Sequence, residues 1–421
     1  METVTHRIPG LVMTDHRFTV PLDYGEPDRA TIEVFAREVA EPNAAHDRPW
    51  LVFFQGGPGF ASPRPTEPSG WVGRAIGEYR VLLLDQRGTG LSTPVLPETL
   101  EQIGSPQQQA DYLAHFRADN IVRDAELIRR ELIGDGTWSV LGQSFGGFCV
   151  TRYLSAAPDG LREALITGGL PPIGGHPDDF YRLTYQRMLD RNALYYERYP
   201  GDRDVVHRIT TRLAAGDVTL PDGSPLTVRR FQQLGMLLGT GDGFERLHFG
   251  MQEAFAAGGD DLSSPFLRQV FAEQPWETNP IYALIHESCV CDGTASRWSA
   301  ARLRGEFDQF DDPTNLTAEA IFPWMFEDYT ALRPFAETAE ILASVEWPRL
   351  YDPEVLAQNT VPAAAAMYYD DMYVERMHSE ATAKAIPGLR VWVTNQYQHN
   401  GLRTDGAAIL DRLIAMVRGE R

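Results

Sequence analysis

In the stretch LGQSFGGF, residues 141–148, one serine stands between two glycines at the spacing G-x-S-x-G. A serine hydroxyl attacks a carbonyl only when a base takes its proton, and the base must itself be oriented by a third group. For a Ser…Asp…His chain order, the base belongs in a loop after the last strand. His399 in LRVWVTNQYQHNGLR is the one histidine of ten in that position. The acid belongs after the preceding strand, where AAAAMYYDDMYV places Asp370 and Asp371 side by side. One residue of register separates these two, and the second is our choice. Acyl transfer also needs backbone N–H groups about 3 Å from the developing oxyanion. The N–H of Phe145, just after the serine, is one candidate. The others are Gly56 and Gly57 in FFQGGPGF, residues 53–60.

These residues can meet only on a suitable scaffold. Short, wholly apolar runs at WLVFF (50–54), YRVLLLD (79–85), WSVLG (138–142) and EALITGG (163–169) suit parallel strands buried on both faces. Helical spacing fills the segment between the second and third runs and also CVTRYLSAAP after the serine. Strand alternating with helix predicts an α/β domain with a mostly parallel, doubly wound sheet. HRFTVPL and ATIEVFAREV, around the turn DYGEPD, read as an antiparallel pair ahead of it. WSVLG runs straight into QSFGGF and a helix, the strand–turn–helix setting in which a nucleophile stands exposed at the sheet edge. Gly142 and Gly146 flank that turn, where larger side chains would collide.

The rhythm stops between about 172 and 355, where helical patterns rich in Tyr, Phe, Trp and Leu show no clear buried strand. Strands return at TVPAAAAMYY (360–369) and LRVWVT (389–394), with YVERMHSEATAKAI between them and a closing helix GAAILDRLIAMVRGE. The expected organisation is a core in two parts, 1–171 and 356–421, interrupted by a helical insertion at 172–355.

With 421 residues and 43% apolar composition, the chain can bury a large core without covalent staples. A net charge of −20 argues against nucleic-acid and anionic-membrane partners, which need basic patches. Three cysteines are too few for a disulfide framework, and METVTHRIPGLVMTDHRF lacks the apolar core of a signal peptide. No run approaches the roughly 20 apolar residues of a membrane helix. A cytoplasmic location without membrane association is the expectation. There is no HExxH, and the glycine-rich loops lack a Walker lysine, so neither metal nor organic cofactor is expected.

QGGPG at 55–59, LLDQRGTGLST at 83–93, GQSFGGF at 142–148, YYDDMYV at 368–374 and QHNGLR at 398–403 occur in one order along the chain. Together they resemble the proline iminopeptidases of the α/β-hydrolase fold, in their larger-sized branch. The resemblance implies Ser144 as nucleophile, Asp371 as orienting acid, His399 as base, and the GGPG backbone as part of the oxyanion hole. It also implies small peptide or aminoacyl substrates with an N-terminal proline. Gln55 departs from the commoner histidine before GGPG. Asp85, Arg87 and Ser92 are expected to fix their loop by hydrogen bonding, and Cys149 to be a packed small residue.

An esterase, amidase or lactonase on the same fold is the alternative, because a triad fixes acyl transfer but not the acyl group. A catalytically silent binding protein is disfavoured by the complete Ser, Asp and His set. The insertion is expected to cap the site and supply carboxylates for the substrate amine and aromatic walls for the proline ring. Glu287 in PIYALIHESCV and Glu327 in FPWMFEDY, both in apolar settings, are the candidates.

Overall fold

The computed structural model describes residues 2–43, 47–257 and 259–420. Among the described residues, nine strands form one sheet: β1 (Glu2–Ile8), β2 (Leu11–Pro21), β3 (Thr31–Ala40), β4 (Trp50–Phe54), β5 (Arg80–Leu84), β6 (Trp138–Gln143), β7 (Leu161–Thr167), β8 (Ala363–Tyr368) and β9 (Leu389–Thr394). Their order is β1-β2-β3-β5-β4-β6-β7-β8-β9. The pairs β1·β2, β2·β3 and β3·β5 are antiparallel, and every pair from β5 to β9 is parallel. The α/β class read from the apolar runs therefore holds. β1 is an addition to that reading. Its residues are mostly polar and exposed, and they pair with β2 at the sheet margin rather than in its core.

The continuous apolar runs are explained by what lies on each face. Successive side chains of a strand point to opposite faces. In β4, Trp50, Val52 and Phe54 join one buried cluster, while Leu51 and Phe53 join a second on the other side. Helices Ala118–Ile133 and Phe145–Ala156 cover the first face. Helices Gly70–Ile76 and Gly406–Arg418 cover the second and pack on each other. With apolar partners on both sides, a polar residue in the central strands would be buried without water. That constraint keeps the runs largely apolar, and buried Glu163 of β7 is met by hydroxyl donors, Ser139 of β6 at 2.8 Å and Tyr79 at 2.6 Å.

Between the end of β7 and the start of β8 the described residues form helices and two isolated bridges, Thr219↔Pro225 and Phe255↔Leu262. The longest helix there is Pro177–Arg198, started by a proline at its first turn, with Tyr181, Tyr185 and Tyr195 buried along it. Side chains of the core tie this layer down. Buried Arg117 donates to the Cys291 carbonyl at 2.6 Å and lies over the Trp347 ring. Arg187 pairs with Glu375 at 2.9 Å.

Candidate active site

Ser144 occupies the turn between β6 and helix Phe145–Ala156, with φ +57° and ψ −126°. A side chain in that conformation costs about 1–3 kcal/mol and persists only where neighbours impose it. Here the Ser144 N–H donates to the Thr167 carbonyl at 3.0 Å, and its own carbonyl accepts from Gly147 at 2.7 Å. The glycines make the turn possible. A Cβ on Gly146 would lie 1.9 Å from the Phe54 carbonyl oxygen, and one on Gly142 would lie 2.3 Å from the Gly146 oxygen. The Ser144 hydroxyl is thereby pushed out at the C-terminal edge of the parallel strands.

β8 and β9 end on the same edge. Asp371, only 1% exposed, follows β8. Its Oδ1 accepts from the N–H groups of Tyr373 (2.9 Å) and Val374 (3.1 Å), which leaves Oδ2 for His399 Nδ1 at 2.7 Å. With that carboxylate ionised, Nδ1 carries the ring proton, and Nε2 accepts from the Ser144 hydroxyl at 2.9 Å. The loop holding His399 is fixed by its own N–H donating to the Gly239 carbonyl in the helical layer, and Tyr373 packs 4.6 Å from the imidazole. Burial opposes charging of the ring. The charge and hydrogen bond of Asp371, with the nearby Glu319 carboxylate, outweigh it and hold the His399 pKa above the ordinary value. Asp370 is half-buried and forms no hydrogen bond or ion pair with His399.

The GGPG loop comes directly against the serine: a Cβ on Gly56 would stand 2.8 Å from Ser144 Cβ. Gly56 and Gly57 line the cavity above Ser144. Phe145 begins the following helix, so its N–H is one of the first-turn donors that a helix leaves without an internal acceptor. The helix end adds a positive partial charge at the same point. The arrangement can deprotonate a serine hydroxyl, hold the resulting imidazolium and receive an oxyanion on backbone donors.

The cavity has a volume of about 600 Å³, in the range of small-molecule sites. Phe60, Tyr282 and Tyr373 give it apolar walls, and Glu273 and Glu319 give it carboxylates. Burial alone would raise the Glu319 pKa. The His286 ring, 3.6 Å away, and the Tyr282 hydroxyl, which donates to it, reverse that and hold it below the usual range. Glu273 is paired with Arg246. Sequence reasoning missed both acids. The available signal was weak: Glu319 in LTAEAIF is a lone charge among apolar residues, and Glu273 in FAEQPWE had no such contrast.

Glu287 and Glu327, the acids singled out from the sequence, do not line this cavity. Glu287 is buried, but its two oxygens accept from the N–H groups of Ala300 (2.9 Å) and Ser299 (3.3 Å), so it caps the short helix Ser299–Leu303. Desolvation raises its pKa despite those bonds. The Glu327 side chain is 71% exposed and pairs with Arg229 at 3.0 Å, while its neighbours Met325 and Phe326 point inward. An apolar flank in sequence marked a helix with one wet side.

The DQRGTGLS loop, residues 85–92, is a scaffold. Asp85 accepts from the N–H groups of Ser62 and Leu91, both at 2.9 Å, and Ser92 donates to the Asp85 carbonyl at 2.6 Å. Fully buried Arg87 donates to Asp124 and to the carbonyls of Leu22 and His115. Cys149 is fully buried and its thiol is pushed well above its ordinary pKa by desolvation, which suits packing rather than attack. Among the described residues, no three His, Cys, Asp or Glu side chains are grouped to hold a metal ion. No helix among them is long and apolar enough to cross a membrane.

Comparison with known proteins bears on the fold and the family. Residues 49–404 match the alpha/beta hydrolase fold family. The chain is 50% identical over 418 residues to a proline iminopeptidase of Aeromonas sobria, covering 98% of each. It is 36% identical to a proline iminopeptidase of Aspergillus aculeatus, over 99% of this chain and 96% of the relative. Among solved structures, a proline iminopeptidase of Mycobacterium smegmatis overlays 96% of this chain and 100% of its own, with a TM-score of 0.45 at 14% identity. That last likeness is too loose to argue from. The chain belongs to the proline iminopeptidase family of α/β hydrolases.

Proposed function

We propose that the protein is a serine aminopeptidase that hydrolyses the bond after an N-terminal proline, through an acyl-enzyme on Ser144. His399 takes the Ser144 proton as the hydroxyl attacks the prolyl carbonyl, and Asp371 holds the tautomer and stabilises the imidazolium. The oxyanion forms against the N–H groups of Phe145 and of Gly56 or Gly57. His399 then gives its proton to the leaving amine. A water molecule, deprotonated by the same imidazole, attacks the prolyl ester and releases proline.

The observation that carries this reading is the continuous chain Asp371–His399–Ser144, at 2.7 and 2.9 Å, opening into a cavity that also holds two carboxylates. An N-terminal proline is a charged secondary amine on an apolar ring. Glu319, supported by Glu273, suits the amine, and Phe60, Tyr282 and Tyr373 suit the ring. A simple ester carries no cation for these acids to bind. The helical segment 172–355 acts as the cap: it supplies Glu273, Glu319 and Tyr282, while the flanking segments 1–171 and 356–421 supply the triad and the oxyanion donors. Small peptides with N-terminal proline are the substrates, and the protein works without membrane association in the cytoplasm. A panel of aminoacyl-arylamides and aryl esters tests the reading. Prolyl-arylamide should exceed the alanyl and leucyl analogues in kcat/KM by at least about tenfold. Faster turnover of a neutral aryl ester, with no preference for proline, would favour the esterase alternative.

A further inference from the structure

The residues assigned to the amine and the ring do not exhaust the lining of the cavity. Arg403 lines it too, on the short helix Gly401–Thr404 that follows His399, together with Asn400 just before that helix. It is exposed, so it sits at the mouth. The other arginine of the cavity, Arg246, is paired with Glu273. Arg403 has no carboxylate partner among the described residues, although the chain carries 58 acidic residues against 38 basic ones. In a protein of net charge −20, whose overall field repels anions, it is a local positive site at the entrance.

The chemistry fixes which side of the serine this is. The leaving amine must take its proton from His399 Nε2, so the leaving group lies along the wall that carries the imidazole. That wall is the 399–404 segment. It is held in place by the Asn400 side chain, which accepts from the Gly241 N–H at 2.9 Å, and by the His399 N–H on Gly239. Arg403 lies near enough to His399 for its charge to oppose protonation of the ring. A cavity of about 600 Å³ has room for few residues beyond the scissile bond, and each adds at most ~3.6 Å of chain.

We propose that Arg403 binds the C-terminal carboxylate of the residue released with the leaving amine, so that the enzyme favours Pro-Xaa dipeptides. The inference rests on the iminopeptidase reading above. A guanidinium receives a carboxylate through two parallel N–H donors, a geometry that an amide or a continuing chain does not offer.

The test is the ratio of kcat/KM for prolyl-alanine to that for prolyl-alaninamide, in the wild type, Arg403→Gln and Arg403→Lys. The wild type should favour the free carboxylate about ten- to a hundredfold, the range of a charge-assisted hydrogen bond. Arg403→Gln should bring the ratio close to one, and Arg403→Lys should recover part of it. A ratio near one in the wild type, or one unchanged in Arg403→Gln, overturns the inference. So does a parallel loss on both substrates, which would make Arg403 a support for the His399 loop. Prolyl-arylamide separates the two levels: its turnover by the wild type with no carboxylate preference removes only the Arg403 assignment. Failure to cleave prolyl-arylamide overturns the iminopeptidase reading, and this inference with it.

Discussion

Asp371 and Asp370 are chemically identical and adjacent, yet only one reaches the histidine. Two backbone N–H groups, from Tyr373 and Val374, hold Asp371 with its second oxygen on His399 Nδ1. Asp371→Asn should therefore lower kcat by about 10⁴-fold, since an amide favours the wrong tautomer. Asp370→Asn should leave it within a few fold. Steady-state kinetics on the two variants decides, and the reverse order would refute the assignment. The pH profile follows from the same contact. The imidazole must be neutral to accept the serine proton, and its pKa is held above the ordinary 6.5. The acidic limb of kcat/KM should accordingly have its midpoint above pH 6.5, with activity rising as pH increases through it. In Asp371→Asn the attraction is gone, and the residual activity should show a lower midpoint. Glu319 gives a further separation. Glu319→Gln should reduce kcat/KM for prolyl-arylamide about ten- to a hundredfold, the loss of one charge-assisted contact, and should affect a small neutral ester far less. Equal losses would assign Glu319 to the fold. Ser144, His399 and the Asp pair were legible because strand ends place residues predictably. Glu319 was not, because an irregular helical layer gives no period from which to infer which way a side chain faces.

At the level of elements, the strand–turn–helix around Ser144 depends on atoms that never touch substrate. Gly146 meets the Phe54 carbonyl of β4 so closely that any side chain forces β4 and β6 apart. Gly146→Ala should lower the melting temperature by several degrees and reduce activity together, because strain of about 1–3 kcal/mol falls on the two strands that place Ser144 and Gly56. Circular dichroism melts alongside kinetics would check it; an unchanged melting temperature would contradict the packing. The central strands were readable from sequence because they are buried on both faces. β1 was not, because a charged marginal strand resembles a polar tail until β2 supplies its partner. Glu287 shows the complementary difficulty. A buried acid in an apolar segment signals either a ligand or a helix end, and only the N–H groups of Ser299 and Ala300 tell which.

Over the whole molecule, the proposed function assigns the chemistry to the sheet and the selection to the intervening helices. The two are joined where His399 bonds to Gly239 and Arg117 to Cys291. The alternation of apolar strand and helix revealed the first part, since a doubly wound sheet leaves a strong pattern. The second part was visible only as an interruption of that pattern, and its aromatic and acidic residues could be counted but not oriented. All the catalytic roles proposed are filled by Ser144, His399, Asp371 and backbone N–H groups. Activity should then survive dialysis against a chelator and be lost to a serine-directed phosphonylating reagent, with the added mass on the peptide containing Ser144. Loss on chelation, restored by a divalent ion, would contradict this.

The proposed function stands on Ser144 forming the acyl-enzyme in release of N-terminal proline. The most direct measurement is kcat for prolyl-arylamide in Ser144→Ala beside the wild type, with circular dichroism to show that the variant is folded. The expected result is a folded protein whose kcat is lower by about four to six orders of magnitude. A folded Ser144→Ala enzyme that retains kcat within tenfold of the wild type would contradict it.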